Sequence, residues 1–382
     1  MGPADSMRAV AFAVACAWRA RAGPPTETVM VTAPMASGGS EIDMTVWQTA
    51  FTSSTSKTHD SHAHVNGHLV KVSNPLGRVA VVPPLPGGCG TIAYVPDTAA
   101  LYNPSCILAT DAGYYNLIDT FQCIGNVVSD GEIHYTEPMN TTNVNFGVLK
   151  NGSFVIGYIS PETVETGIFE HLVGGLGWIV RNGLNNVDAG WEEAYTAAGS
   201  SGDEYKEMTS GRTTIGWDKN GGLILLQYDG HTGAPSWGAT MNELADKMIS
   251  FGAVEAINLD GGGSTQMWKN GVQIGYSSDR ATYGVLAGTY EPGCPIGEGK
   301  GNLSAFECAR KVSTIICIHE ANSGVTSFLA SPRTQAGSPV SALSLGFLVV
   351  GLCLGAAVGA VASKMWSKKE GKGADLNGDD SE

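Results

Sequence analysis

Charged residues are scarce in this 382-residue sequence: they make up 15% of it, whereas hydrophobic residues make up 43%. A chain with this balance can bury a sizeable core, as one large domain or two ordinary ones. Basic residues are the scarcer charge, with 22 Lys and Arg against 36 Asp and Glu, and the formal net charge is −14. Because nucleic-acid phosphates bind to basic surfaces, this charge excludes DNA or RNA as the main partner.

Several motifs of well-known sites are also missing. The sequence contains no C-x-x-C pair, which disfavours a zinc site, and neither a Walker loop nor a G-x-S-x-G elbow. The 51 glycines follow no fixed period, so a collagen-like chain is excluded and many tight turns between strands are favoured. Four histidines, at 59, 62, 64 and 68, do not form a helical i, i+4 metal pair with a Glu between its members. We therefore expect no cofactor and no metal.

The cysteines are distributed in a way that indicates disulfides. Cys16 and Cys353 lie in apolar stretches near the two ends of the chain, and six cysteines lie between them. An even number in a chain with membrane signals predicts three disulfides, among Cys89, Cys106, Cys123, Cys294, Cys308 and Cys317. Three glycosylation acceptor sequences, at Asn140, Asn151 and Asn302, also fit a lumenal domain.

The two ends of the chain resemble membrane-targeting segments. Residues 1–22 combine a basic residue, a short apolar run and an Ala-x-Ala pattern, which predicts a signal peptide. Residues 340–362 carry no charge and are long enough to span a bilayer as a helix. Because lysines follow at once, the tail, 363–382, is expected to be cytosolic, which gives a single-pass type I membrane protein. Glycines repeat every four residues in the span, so it either packs against a second copy, giving a homo-oligomer, or is an ordinary small-residue helix.

Between the ends, the pattern favours a mixed α+β fold, with a largely antiparallel β-sheet core and flanking helices in residues 67–320. Short apolar segments such as Phe154–Tyr158 and Leu223–Tyr228 are preceded by Asn-Gly turns, and Lys269-Asn-Gly-Val272 predicts another hairpin-type turn. A capping box at Thr240-Met-Asn-Glu243 predicts a helix that ends at Gly252, and a second helix is predicted over 161–173. Residues 23–66 are interpreted as a polar, solvated lead-in segment and 321–339 as a stalk.

The stretch Val254-Glu-Ala-Ile-Asn-Leu-Asp-Gly-Gly-Gly-Ser-Thr265 has the strongest chemical character. A strand runs into three glycines, and Asn258 and Asp260 point to the same side of it because they are two residues apart. The glycines Gly261, Gly262 and Gly263 allow the backbone to approach a ligand and to turn its N–H groups toward an anion, and Ser264 adds a hydroxyl. The alternative is a tight turn that Asp260 caps.

In this context the sequence resembles the phosphodiester glycosidase family, over about residues 67–320. The matching segments occur in one order: Gly67-His-Leu69, Pro86-Gly-Gly-Cys89, Cys123-Ile-Gly-Asn-Val-Val-Ser-Asp130, Trp178-Ile-Val-Arg-Asn-Gly183, Arg212-Thr-Thr-Ile-Gly216, Ala256-Ile-Asn-Leu-Asp-Gly-Gly-Gly-Ser264 and Val312-Ser-Thr-Ile-Ile-Cys-Ile-His-Glu320. The resemblance implies hydrolysis of GlcNAc-α1-phospho-6-mannose, which exposes mannose 6-phosphate on the N-glycans of lysosomal hydrolases, at the Golgi membrane. It also implies the pairings Cys89–Cys123, Cys106–Cys317 and Cys294–Cys308.

The resemblance assigns roles to individual residues. Asp260 is expected to act on water or to stabilise an oxocarbenium-like transition state. Arg212 would clamp the phosphodiester, and Arg181 is a second candidate for this role. Gly261–Ser264, the glycine loop, would bind the same phosphate. Asn182 and Asn258 would bind sugar hydroxyls, unless they are turn residues. Asp279 is either a second carboxylate or the head of an Asx turn.

The sequence departs from the family pattern at two places. Asp111 stands where the family has Asn, in the segment Asp111-Ala-Gly-Tyr-Tyr115, at a position expected to contact sugar. This departure leaves a membrane-anchored phosphosugar-binding protein of the same fold, without turnover, as the alternative function. The tail also contains no Tyr, so the Golgi address is implied by the resemblance and not by a sorting signal.

Overall fold

The structure is a computed structural model of the chain. It describes residues 27–36, 42–50, 64–117, 119–138, 143–193, 202–230, 238–275 and 310–320. The predicted signal peptide, stalk, membrane helix and tail lie outside the described residues, as do Asn140, Asp279, Cys294, Asn302 and Cys308. Within the described ranges, no helix is both long and apolar enough to cross a membrane.

Strands are the main regular elements of the described residues, which contain twenty of them. They are β1 Val29–Thr32, β2 Ile42–Ala50, β3 His64–Val72, β4 Val79–Val82, β5 Cys106–Asp111, β6 Tyr114–Tyr115, β7 Cys123–Ile124, β8 Val127–Ser129, β9 Glu132–Tyr135, β10 Val144–Leu149, β11 Phe154–Tyr158, β12 Phe169–Gly174, β13 Trp178–Arg181, β14 Leu184–Asn185, β15 Arg212–Asp218, β16 Leu223–Tyr228, β17 Ala253–Asn258, β18 Met267–Lys269, β19 Val272–Gly275 and β20 Ile315–His319. The helices are α1 Val95–Leu101, α2 Pro161–Glu165, α3 Val187–Glu193, α4 Gly202–Glu207 and α5 Met241–Ser250.

The strands form three main sheets and the small pair β6–β7. Sheet A has the order β1-β11-β10-β12-β8-β9, sheet B has β14-β13-β17-β15-β16-β3-β2, and sheet C has β19-β18-β5-β20-β4. Every strand pairing within the described residues is antiparallel. The prediction of a largely antiparallel core with a few helices is therefore confirmed.

The main hydrophobic core lies where the three sheets face one another. Phe146 from sheet A, Ile215 from sheet B and Ile316 from sheet C belong to one cluster, and each is fully buried. On the other face of sheet B, α5 packs Leu244 and Met248 against the strands. Because sheet B is covered on both faces, strands such as β16 are apolar and buried at nearly every position.

Turn and capping residues predicted several elements well. The capping box is present, since the Thr240 side chain accepts from the Glu243 N–H and the Glu243 side chain accepts from the Thr240 N–H. The β18–β19 turn places Asn270 and Gly271 at φ +49° and +76°, the left-handed conformations that an Asn-Gly hairpin turn requires.

Two predictions about local structure were wrong. The helix predicted over 161–173 ends at Glu165, because Gly167 adopts φ +69° and the chain then enters β12, where Phe169 and Leu172 are buried. The lead-in segment is not simply a solvated stretch. Its described residues form β1, which pairs with β11, and β2, which pairs with β3, and β3 itself begins at His64.

Two of the three expected disulfides are present. Cys89 is bonded to Cys123, and Cys106 to Cys317. The second bond joins β5 to β20, two neighbouring strands of sheet C, and its cysteines are separated by 211 positions in the sequence.

The capping box generates a test of the helix that supports sheet B. Thr240→Ala should lower the free energy of unfolding by about 1 kcal/mol, because a helix N–H loses its acceptor. Glu243→Gln is the matched control, and its loss should be smaller because Gln also completes a capping box. Urea unfolding measures both values, and equal losses would contradict this account of the cap.

Candidate active site

Asp260 lies at the point where the chain passes from sheet B to sheet C. Leu259 N–H still donates to Thr213 O on β15, at 2.8 Å, whereas Asp260 N–H donates to Ala112 O just after β5, also at 2.8 Å. A short 3-10 turn, Gly262–Ser264, follows, and the chain then pairs with β5 as β18. The Asp260 side chain is partly exposed, and its Oδ1 accepts the Gly261 N–H at 2.8 Å.

Glycine is required in this turn because two backbone segments approach closely. A Cβ on Gly261 would lie 2.7 Å from the Gly211 carbonyl oxygen, and a Cβ on Gly211 would lie 2.8 Å from Thr265 Oγ1. Gly262 adopts φ +58°. The backbone that approaches these glycines is the protein's own, and their close approach to a ligand stays a prediction.

Most N–H groups of the glycine loop donate hydrogen bonds to acceptors within the protein. Gly262 N–H donates to Gly211 O, Ser264 N–H to Gly261 O and Thr265 N–H to Gly262 O. Together with the Gly261 bond to Asp260, these contacts leave few amides for an anion. The turn interpretation is thus correct for the loop's local geometry, and any phosphate binding by this loop stays a prediction.

Asp111 is fully buried next to the point where the chain crosses from sheet B to sheet C. Its Oδ1 accepts hydrogen bonds from Thr213 Oγ1 at 3.0 Å and Gln266 N–H at 3.1 Å. It also shares the Thr110 hydroxyl, at 3.1 Å, with Gln266 O, to which that hydroxyl donates at 2.7 Å. Burial, and then the nearby Asp260 carboxylate, raise the pKa of Asp111 well above its usual value, against the lowering effect of the three hydrogen bonds. Asp111 is therefore near Asp260, whereas its contact with a sugar stays a prediction.

A cluster of two phenols and an amide lies near the Asp260 carboxylate. Asn258 Nδ2 donates to the Tyr114 hydroxyl at 2.6 Å, and that hydroxyl shares a hydrogen bond with the Tyr205 hydroxyl at 2.9 Å. Burial first, with contributions from Tyr205 and Asp260, raises the pKa of Tyr114 well above its usual value. Both phenols thus stay protonated at physiological pH, and they are hydrogen-bond donors near Asp260.

Arg212 is placed in this cluster, but it is fully buried. Its Nε donates to Ala239 O at 3.1 Å, and its Nη2 donates to Tyr205 O and Met208 O at 3.0 and 2.7 Å. The guanidinium also lies 4.7 Å from the centre of the Tyr205 ring. Nη1 makes no hydrogen bond to the described residues. Arg212 therefore ties the segment around α4 to sheet B, and its contact with a phosphate stays a prediction.

Arg181 and Asn182 are not brought to Asp260. They lie at the β13–β14 turn, where Asn182 N–H donates to Glu255 Oε1 at 3.0 Å and Asn182 adopts φ +54°. Glu255 precedes Asp260 by five residues on an extended strand, which is a separation of roughly 16 Å. The Arg181 guanidinium instead covers the Trp178 ring at 4.2 Å. Asn182 is a turn residue, the alternative that the sequence left open.

Sequence reasoning missed four residues that shape the site. Tyr114 and Gln266 belong to segments that already carried predicted residues, so their position beside Asp111 and Asp260 was a usable signal. The other two, Tyr205 and Arg310, are distant in sequence, and only the fold brings them to the site. Arg310 Nη1 donates to Ser264 Oγ at 3.5 Å. Asn151, the one predicted glycosylation site in the described residues, is exposed in the β10–β11 turn.

A second group of polar residues has the composition of a metal site. One ligand atom each from Asp130, Glu170 and His171 lies within 4.8 Å of the others. Burial lowers the pKa of His171 to about 4, so its ring is neutral. The ring already accepts the Asp130 N–H through Nδ1, at 3.3 Å, and hydrogen-bonds the Val81 backbone. Its nitrogens are thus engaged within the protein.

The site combines a partly exposed carboxylate with buried hydrogen-bond donors in a disulfide-linked β fold. Comparison with known proteins agrees with this description. The family model described as phosphodiester glycosidase matches residues 104–319, more than half of the chain. This chain therefore belongs to the phosphodiester glycosidase family. Its disulfides and this membership together indicate the secretory pathway.

Three relatives define the similarity. N-acetylglucosamine-1-phosphodiester alpha-N-acetylglucosaminidase from Bos taurus is 34% identical over 265 residues, which is 67% of this chain and 45% of that protein. The Homo sapiens protein of the same name is 33% identical over 270 residues, or 69% of this chain and 47% of that protein. The chain thus spans about half the length of the curated relatives it matches. A solved structure of the zebrafish catalytic domain of this name, auto-inhibited by its pro-peptide, matches with 29% identity and a TM-score of 0.61, covering 77% of this chain and 88% of that one.

The contact between Gly261 and Gly211 yields a prediction. Gly261→Ala should lower the free energy of unfolding by about 1–3 kcal/mol, because its Cβ meets backbone that must shift. In the control Gly271→Asn, nothing lies within 4 Å of the new Cβ, and Asn tolerates the left-handed conformation, so its cost should be below about 1 kcal/mol. Denaturant unfolding measures the loss of unfolding free energy in both variants. A loss in Gly261→Ala no larger than in the control would refute the close approach.

Proposed function

We propose that this chain hydrolyses a phosphodiester that joins the anomeric carbon of N-acetylglucosamine to the 6-oxygen of mannose. The products are free N-acetylglucosamine and mannose 6-phosphate. Family membership and relatives that carry this activity in their names support the proposal. The observation that carries it is the partly exposed Asp260 carboxylate, held beside neutral phenols and a buried guanidinium at the junction of sheets B and C.

The chemistry requires little beyond these groups. The C1–O bond breaks, and the phosphate leaves with its mannose as a monoester, which is a good leaving group without strong acid assistance. Positive charge develops on the sugar ring, and the Asp260 carboxylate stabilises it or takes a proton from the water that adds to C1. Tyr114 and Asn258 supply donors for hydroxyl groups of the substrate, since both belong to one hydrogen-bonded chain beside Asp260.

The remaining assignments belong to the same proposal. Arg212, through Nη1, attracts the anionic diester, and Asp279 is a second carboxylate of the site. The natural substrates are phosphorylated high-mannose N-glycans of lysosomal hydrolases. We propose a Golgi location with one membrane helix at 340–362 and pairing of two such helices through their glycines.

Release of N-acetylglucosamine from GlcNAc-α-phospho-α-methylmannoside by the full-length chain tests the function. Asp260→Asn should lower turnover at least about 100-fold, because the neutral amide neither stabilises positive charge nor accepts a proton. The matched control is Asp246→Asn, an exposed carboxylate on α5, which should retain activity. Full activity in Asp260→Asn would remove Asp260 from the mechanism. A folded wild type that binds mannose 6-phosphate but releases no sugar would instead identify a binding protein.

Arg212→Lys separates the structural role of this residue from its proposed role toward phosphate. Because Lys cannot serve the same backbone carbonyls, the variant should lose about 2–4 kcal/mol of unfolding free energy. In the folded fraction, KM for the phosphodiester should rise more than KM for an uncharged aryl α-N-acetylglucosaminide. The half-exposed Arg181→Lys serves as the control for both measurements. Equal effects on the two substrates would leave Arg212 a structural residue only.

A further inference from the structure

The two oxygens of the Asp111 carboxyl have very different environments. Oδ1 makes all three hydrogen bonds of the group, with Thr110, Thr213 and Gln266. Oδ2 is buried and makes no hydrogen bond to the described residues. The side chain as a whole is 0% exposed. One oxygen thus faces three donors, while the other is buried without a hydrogen bond to the described residues.

This environment fits a carboxylic acid better than a carboxylate. Burying an ionised carboxyl with an unpaired oxygen is so costly that such groups take up a proton instead. The Ala112 carbonyl next along the chain accepts the Asp260 N–H at 2.8 Å, so a second carboxylate lies close by. Burial first, and Asp260 second, raise the pKa of Asp111 well above its usual value. A proton on Oδ2 leaves all three hydrogen bonds to Oδ1 intact.

We propose that Asp111 is a positioning residue that serves the active site as a neutral carboxylic acid, so that it adds no negative charge beside Asp260 and the glycine loop. An ionised Asp111 would repel both the Asp260 carboxylate and an anionic phosphodiester. Its loss of a proton then sets the alkaline limit of activity. The effect on turnover rests on the function proposed above, whereas the protonation of Asp111 does not.

Other ionisable groups on the surrounding elements must be distinguished from Asp111. They are Asp260 after β17, Tyr114 on β6, Tyr205 on α4, Arg212 on β15, Arg310 before β20, and His68 and Asp229 along the row that continues from Thr213 through Gln227. Burial raises the pKa of both phenols, so they stay neutral at physiological pH. All of these groups are unchanged in an Asp111 variant, so a comparison with wild type isolates the one carboxyl.

The first test compares the pH dependence of kcat/KM in wild type, Asp111→Asn and Asp111→Ala. Asn presents the same acceptor to the three donors and cannot ionise, whereas Ala presents none. We expect Asp111→Asn to recover most of the activity that Asp111→Ala loses, and its alkaline limb to move to higher pH by at least about one unit. An unmoved alkaline limb overturns the proposal. So does a folded Asp111→Asn as inactive as Asp111→Ala, because the carboxyl would then transfer a proton itself.

The second test does not depend on activity. In the unfolded chain Asp111 ionises near its ordinary pKa of about 3.9, whereas the folded state keeps its proton to higher pH. Between these two pKa values the folded state binds more protons, so wild-type stability falls as pH rises. Asp111→Asn lacks this loss, and its melting temperature relative to wild type should increase through that window. A difference that does not change with pH overturns the neutral acid. The expected increase in an inactive wild type would support it and count against the proposed function alone.

Discussion

The candidate active site depends on one backbone constraint, the crossing of the chain from sheet B to sheet C. Leu259 still donates to β15, Asp260 already donates to the residue after β5, and Met267 continues as a strand opposite Thr110. Buried backbone groups must find partners, and here each sheet supplies some of them. The direction of the Asp260 carboxylate is therefore fixed by two rigid sheets, while a loop alone would leave it free to move.

This crossing concentrates polar groups that a β core normally excludes. Asp111, Arg212 and Asn258 are all 0% exposed, and each has a polar atom without a hydrogen bond to the described residues. Such orphaned atoms are rare in native structures, and they recur where function outweighs local stability. The disulfide between Cys106 and Cys317 joins β5 to β20 in the same sheet that receives the crossing, which fixes the receiving side.

The sequence predicted those parts of the fold that short-range chemistry determines. The Asn-Gly turn at Asn270, the capping box at Thr240 and the strand that ends at Asn258 all follow from neighbouring residues. The helix over 161–173 was wrong because the pairing of Phe169–Gly174 with β10 is a long-range contact that no local pattern reveals. The same limit applies to Tyr205, which joins the site from a separate helix, and to Arg181, whose position depends on strand register.

Asp111 illustrates why charge at a site cannot be assigned from residue type alone. In the sequence, an Asp where the family has Asn adds a negative charge beside a phosphate and argues against turnover. In the structure, the same side chain uses one oxygen as an amide would, and its other oxygen is buried without a hydrogen bond to the described residues. Burial and the neighbouring carboxylate both favour the protonated form, in which Asp and Asn carry the same charge and nearly the same shape. Under the proposed function, the departure from the family pattern therefore changes how activity depends on pH more than it changes which substrate the site accepts.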